Sequence, residues 1–168
     1  METLLERNVP VDGVMHGTFG DKADLAAGPK SVHDVWNVIP FENYIVTAQL
    51  LPDQIKAAME EVFASHERRN LLGFEVKTEG RGSDCRIVSM TLANGEPLDR
   101  DKKYAVALNS FDARSGGHHF MKFRALLERP EANSILHPVQ TRDALIAYFQ
   151  RHKIVRRIAA VSLLPIAA

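Results

Sequence analysis

Residues 109–120 read N-S-F-D-A-R-S-G-G-H-H-F, an aromatic ring, a cation, a paired glycine and two histidines in one short run. The run follows a predicted strand, so Phe111 opens a loop at a strand end. Aromatic rings in such loops can stack on a flat ligand. Gly116 and Gly117 let a backbone approach a ligand closely or turn sharply. Phe41 follows Pro40 where a predicted helix gives way to a strand, and is a second candidate plate. A plainer alternative stands beside these readings: both rings point into the core, and the glycines serve only a tight turn. The seven histidines are His16, His33, His66, His118, His119, His137 and His152. None form an i, i+4 pair on a predicted helix, and the adjacent His118 and His119 are badly spaced for one metal. Surface or hydrogen-bonding roles suit them better. The sequence has no G-x-S-x-G, P-loop or H-E-x-x-H pattern.

The elements that must position these residues can be read from periodicity and punctuation. Residues 2–8 suit the end of a helix, and 11–18 a short buried strand. Ser31 is a candidate N-cap for a helix through Val38, since its hydroxyl can accept a first-turn N–H. Pro40 stops that helix. Residues 42–50 predict a strand with Tyr44, Val46, Ala48 and Leu50 on one face. Pro52 then suits the first turn of a helix running to about Glu67, with Ile55, Met59, Val62 and Phe63 as its apolar stripe. From Gly73 onward, Phe74 and Val76 alternate with polar residues, and so do Val88, Met90 and Leu92. Asn94-Gly95 predicts the turn into a strand carrying Tyr104, Val106 and Leu108. A helix is expected from near His119 to before Pro130. The last begins at Thr141 as N-cap, with Leu145, Tyr148, Phe149 and His152 on its inner stripe. Hairpin-like neighbours beside helical crossovers predict an α+β domain with a mixed β-sheet flanked by helices.

Composition bounds the function. A chain of 168 residues with 45% apolar content predicts one domain, 1–168, with a core of its own. The 21 basic and 21 acidic residues cancel. That balance argues against a nucleic acid polymer or an anionic membrane as partner, while leaving room for a local pocket for one small anion. A single cysteine, Cys85, allows no intrachain disulfide and reads as a buried, inert thiol. No run approaches the roughly 20 apolar residues of a membrane span. Residues 1–8 lack the apolar segment of an export signal, and the apolar run 159–168 is too short to span and is expected to be a docked or frayed tail.

Four segments, taken in order, carry a resemblance. Residues 35–50, V-W-N-V-I-P-F-E-N-Y-I-V-T-A-Q-L, resemble the P-F-x-N signature of the C-terminal domain of 5'-nucleotidases. Residues 95–111 are similar to that family's G-x-P-L-D … Y-x-V-A-x-N-x-F/Y. Residues 115–120, S-G-G-H-H-F, resemble its S/N-G-G-D-G-F/Y, and residues 141–148 its closing helix. The order and spacing hold over roughly residues 9–158.

The resemblance implies the substrate-recognition part of a two-domain phosphohydrolase. In that family an N-terminal metallophosphatase domain carries two divalent metal ions, which activate water and polarise phosphate. That domain is expected to lie outside this chain, so no cofactor is expected here and the chain alone is expected to hydrolyse nothing. The expected partners are a nucleoside or nucleotide and the N-terminal domain of the same parent protein. Family members are often periplasmic, secreted or surface-anchored.

Carried over residue by residue, Phe41 takes the first stacking position and Phe111 the second. Five residues, Asp112 to Gly116, separate Phe111 from Gly117, one more than in the family, so its plate is expected to be displaced. Gly116 and Gly117 match the double glycine. His118 stands where the family has an Asp for ribose hydroxyls; a neutral imidazole can bond a hydroxyl but is not a two-oxygen acceptor. The family's N-x-G-G-I-R loop corresponds to residues 15–22. His16 falls near its Asn and Lys22 loosely near its Arg, without the bidentate fork. Arg114 is a candidate replacement cation. These departures keep a second reading open, a non-catalytic binding or interaction module that retains the fold alone. A third, a metal-independent enzyme using His118 or His119 as base, is much less favoured.

Overall fold

The computed structural model describes residues 1–17, 25–65, 69–80 and 82–155. The expectations for Lys22, His66 and the apolar run 159–168 lie outside these residues. The described elements are helices α1 (Glu2–Leu5), α2 (Val32–Val38), α3 (Pro52–Ala64), α4 (Ser110–Ala113), α5 (Met121–Leu127) and α6 (Thr141–Arg151). The strands are β1 (Gly13–Gly17), β2 (Tyr44–Leu50), β3 (Arg69–Leu72), β4 (Phe74–Glu79), β5 (Arg86–Leu92), β6 (Tyr104–Asn109) and β7 (Ile135–Gln140). Five strands form a mixed sheet in the order β3-β1-β6-β2-β7, and β4-β5 form a separate antiparallel pair. The α+β class with a flanked mixed sheet is therefore the observed fold.

Strand β6 sits at the centre, and its side chains explain the layering. It is parallel to β1 and antiparallel to β2, and all six residues are buried. Tyr104, Val106 and Leu108 join the large core with Ile55, Met59 and Val62 of α3 and Phe123 of α5. Ala105 and Ala107 point the other way, into a smaller cluster with Leu4 and Val11. Large side chains on one face and alanines on the other make one layer thick and the other thin. The thin side, beneath α1, α2 and α6, leaves an apolar cavity of about 460 Å³ lined by Val14, Ile39, Ile45, Ala107, Leu145 and Tyr148 among others. The expected inner stripe of α6 thus borders a cavity, and the fully buried residues of that helix are Thr141 and Arg142.

Local signals account for several boundaries. Ser31 caps α2 as expected, and Asp34 completes a capping box by accepting from Ser31 N–H at 2.6 Å. Pro52 opens α3, and the Gln54 side chain accepts from Leu51 N–H at 2.9 Å. That helix ends at Ala64, capped by Ser65, whose Oγ donates to the Val62 carbonyl at 2.7 Å.

Other expectations are corrected. β3 and β7 have no counterpart among the predicted strands. β7 contains Pro138 and exposes Ile135 and Leu136, so it lacks a strand's alternation. It is an edge strand, where a missing N–H is tolerated. The alternation read for Val88 fails: Lys77 pairs with Ser89 but Thr78 with Ile87, so Val88 is the extra residue of a bulge. Ile87 is therefore buried and Val88 exposed. The Asn94-Gly95 turn, with Gly95 at φ 84°, returns the chain to an isolated bridge between Thr91 and Pro97; β6 belongs to the other sheet. Tyr44 is exposed, unlike its expected partners on β2. Thr141 is the first helical residue and not the cap, its Oγ1 donating instead to the Asn43 carbonyl.

Candidate functional site

Topology gathers three chain segments at one end of the sheet. β6 ends at Asn109, which pairs with Ile45 at the start of the antiparallel β2. The segment before β2, residues 39–43, therefore lies beside the segment after β6. A hydrogen bond from Tyr44 N–H to Ser110 Oγ at 3.1 Å joins them. β1 runs parallel to β6, so His16 and Gly17 finish at the same end.

The segment after β6 is a short helix, not the loop expected at Phe111. The Asn109 side chain caps α4, accepting from Asp112 N–H at 2.9 Å while its Nδ2 donates to Asp112 Oδ2 at 2.8 Å. Asp112 is 1% exposed. Arg69, from β3, donates to both carboxylate oxygens, Nε to Oδ2 and Nη2 to Oδ1, each at 2.8 Å. A buried carboxylate is tolerable only with such partners, and the two-pronged geometry fixes both side chains. The Arg69 guanidinium also lies 5.1 Å from the centroid of the buried Phe120 ring.

On this brace stands a strained loop. Ser115 (φ 52°), Gly117 (φ 72°), His118 (φ 62°) and Phe120 (φ 57°) are all left-handed. Such conformations are uncommon for residues with a Cβ and gather at functional sites. The two glycines are needed for different reasons. Gly117 has the left-handed φ, whereas Gly116 does not; a Cβ at Gly116 would fall among the ring atoms of Phe111. The Phe111 ring therefore lies directly on the Gly116 backbone.

The rings themselves are not in the core. Phe41 is 58% and Phe111 48% exposed, so the alternative that both are buried is excluded. Gly116, Gly117, His118 and Arg114 share the Phe111 loop, with His118 and Arg114 exposed. His16 stands apart from these exposed groups. It is half-buried near Arg69 and Asp112, and its Nδ1–H donates to the Gly17 carbonyl at 2.7 Å. Burial, aided by the Arg69 charge, holds its imidazole below the ordinary 6.5, although the Gly17 carbonyl and the Asp112 carboxylate pull the other way. His16 is thus a neutral, inward histidine near neutral pH.

Sequence reasoning missed Asn109, Asp112, Arg69 and Ser110. The first two carry a legible signal, Asn-x-x-Asp at a strand end, which is a helix-capping pattern. Arg69 has none, because its partner lies 43 positions away. Among the described residues, no group of three or more His, Cys, Asp or Glu side chains could hold a metal ion, and no helix is long and apolar enough to cross a membrane.

The fold is a mixed sheet flanked by helices, with exposed Phe41 and Phe111 and a glycine-containing loop at one end. Comparison with known proteins identifies the family. The sequence profile described as "5'-nucleotidase, C-terminal domain" matches residues 6–125, well over half the chain, and the chain belongs to that family. It is 21% identical over 165 residues to the NAD 5'-nucleotidase of Haemophilus influenzae, covering 90% of this chain and 27% of that protein. The crystal structure of a 5'-nucleotidase precursor from Thermus thermophilus superposes with a TM-score of 0.76 at 23% identity, over 91% of this chain and 31% of that one. The H. influenzae NAD nucleotidase structure gives 0.71 at 21% identity, covering 84% and 27%. A putative 5'-nucleotidase from Staphylococcus aureus, in complex with alpha-ketoglutarate, gives 0.67 at 18%, covering 88% and 31%. The chain therefore spans only about 27–31% of the length of these relatives.

Proposed function

We propose that this chain is the substrate-recognition domain of a 5'-nucleotidase-like metallophosphoesterase. Phe41 and Phe111 take a nucleoside base between them, Gly116 and Gly117 admit the ligand close to the backbone, and His118 bonds a sugar hydroxyl. Arg114, with Lys22 from the segment after β1, supplies positive charge for phosphate. His16 acts from beneath, as a neutral spacer beside the Arg69–Asp112 pair. Hydrolysis belongs to an N-terminal dimetal domain of the same parent protein, as membership of the family implies.

The observation that carries the reading is the exposure of two phenylalanines at one end of neighbouring strands. Exposed aromatic rings present apolar faces on which a planar ligand can stack. Calorimetric titration with AMP, adenosine and uridine tests it. Binding is expected, and Phe41→Ala or Phe111→Ala should each weaken it by about 1–3 kcal/mol, the usual worth of one base–aromatic stack. An absence of heat with every nucleoside would turn the assignment to the interaction module, which His118 in place of the family's Asp also favours.

A further inference from the structure

The segment that carries Phe41 is anchored by a residue outside the loops. Arg142, the second residue of α6, is 2% exposed. Its Cζ lies 3.4 Å from the ring centroid of Trp36, so the guanidinium is stacked on the indole of α2. Nη2 donates to Gln140 Oε1 at 3.0 Å and lies 4.0 Å from Glu42 Oε1. Nη1 reaches the Ile39 carbonyl at 3.5 Å. Beside it, Thr141 N–H donates to the Asn43 carbonyl at 2.8 Å. The strap 39–43 is thus tied at both ends to the first turn of α6, with Phe41 in the middle.

This arrangement is a poor bargain for stability alone. Arg142 Nε is buried with no hydrogen-bond partner, the one such side-chain atom found among the described residues. An apolar side chain of similar length would fill the space without desolvating a cation. It could not hold the indole, the Ile39 carbonyl and the Glu42 carboxylate together. We propose that Arg142 is the positioning residue for the Phe41 ring, seating the strap so that a planar ligand meets a ring already in place. For its effect on binding, this inference rests on the recognition reading above; the clamp itself does not. Trp36 is the only tryptophan in the chain, so its emission reports whether the guanidinium is seated.

The test compares the whole chain with Arg142→Met and Arg142→Lys. The readouts are hydrogen–deuterium exchange across 39–44, Trp36 emission, and calorimetry with AMP and adenosine. Arg142→Met should speed strap exchange, shift the emission and raise both dissociation constants about tenfold or more, the loss expected for one charge-assisted contact. Arg142→Lys keeps the charge without the planar fork and should fall between. If Arg142→Met does not fold, Arg142→Lys and Glu42→Gln decide on the same readouts. Unchanged exchange and emission in a folded variant would overturn the clamp. A loosened strap with unchanged dissociation constants would overturn ring positioning. A wild-type chain that binds neither compound nor uridine would sink the recognition reading, leaving the clamp to be judged by exchange and emission.

Discussion

Two half-exposed phenylalanines stand at one end of the same sheet, and they are supported in different ways. Phe111 rests on its own loop: its ring lies on Gly116, and the loop is braced below by Asn109, Asp112 and Arg69. Phe41 sits on a strap tied to α6, about a hundred positions further along the chain. The first support is mostly local, with one long-range cation. The second is held from a distance. A ring on a local brace should survive damage to the helical layer, whereas a ring on a tied strap should not.

The largest effect is expected on the Phe111 side. Arg69→Met leaves the Asp112 carboxylate buried without its cation, which should lower unfolding free energy by about 3–5 kcal/mol in urea denaturation. Adding Asp112→Leu should recover most of that loss, because no buried charge then remains unpaired. If the single variant is as stable as wild type, the brace carries no weight and the contrast between the two supports disappears. Next comes Gly116→Ala, whose Cβ must displace the Phe111 ring. It should cost about 1–3 kcal/mol, typical of overpacking. It should also weaken nucleoside binding while strap exchange over 39–44 stays at the wild-type rate. Strap exchange that rises with it would show the two supports to be coupled.

The smallest effect is a pH dependence beneath both. His16 has a folded-state pKa below 6.5 because it is buried. Between that lowered value and 6.5 the unfolded chain holds more protons, so stability rises with pH through this window and is level above it. Melting temperatures should therefore fall on acidification from about pH 7 to about pH 5. The fall should be smaller in His16→Asn, with a residual slope from His137, whose pKa burial also lowers. An identical slope in the variant would remove His16 from the explanation.

Particular residues show how far the sequence could be read. Ser31, Pro52 and the stripe Ile55, Met59, Val62 announce their helices because caps and 3.6-residue periodicity are local properties. The alternation in β6 is visible in the sequence, though not that its alanines face a thinner layer. β7 is hidden by Pro138 and by exposed Ile135 and Leu136, features of an edge that propensity reads as loop. Val88 misleads because a bulge shifts the faces of a strand, and a bulge is a property of pairing.

The candidate site divides along the same line. Phe41, Phe111 and the glycine pair stand out by type and by their place at strand ends, although the sequence leaves open whether the rings face the core. Arg69 and Arg142 are not. Each is a cation whose role depends on a partner brought to it by folding.

Sequence alone therefore determined the α+β class, the starts of α2 and α3 and the alternation in β6, all of which follow from short-range periodicity and steric preference. Tertiary structure decided that the rings are exposed, that they leave from the same end of paired strands, and that Arg69 and Arg142 bond to the segments carrying them. Exposure and ion pairing depend on which distant atoms exclude water around a group, and that is settled only when the layers close.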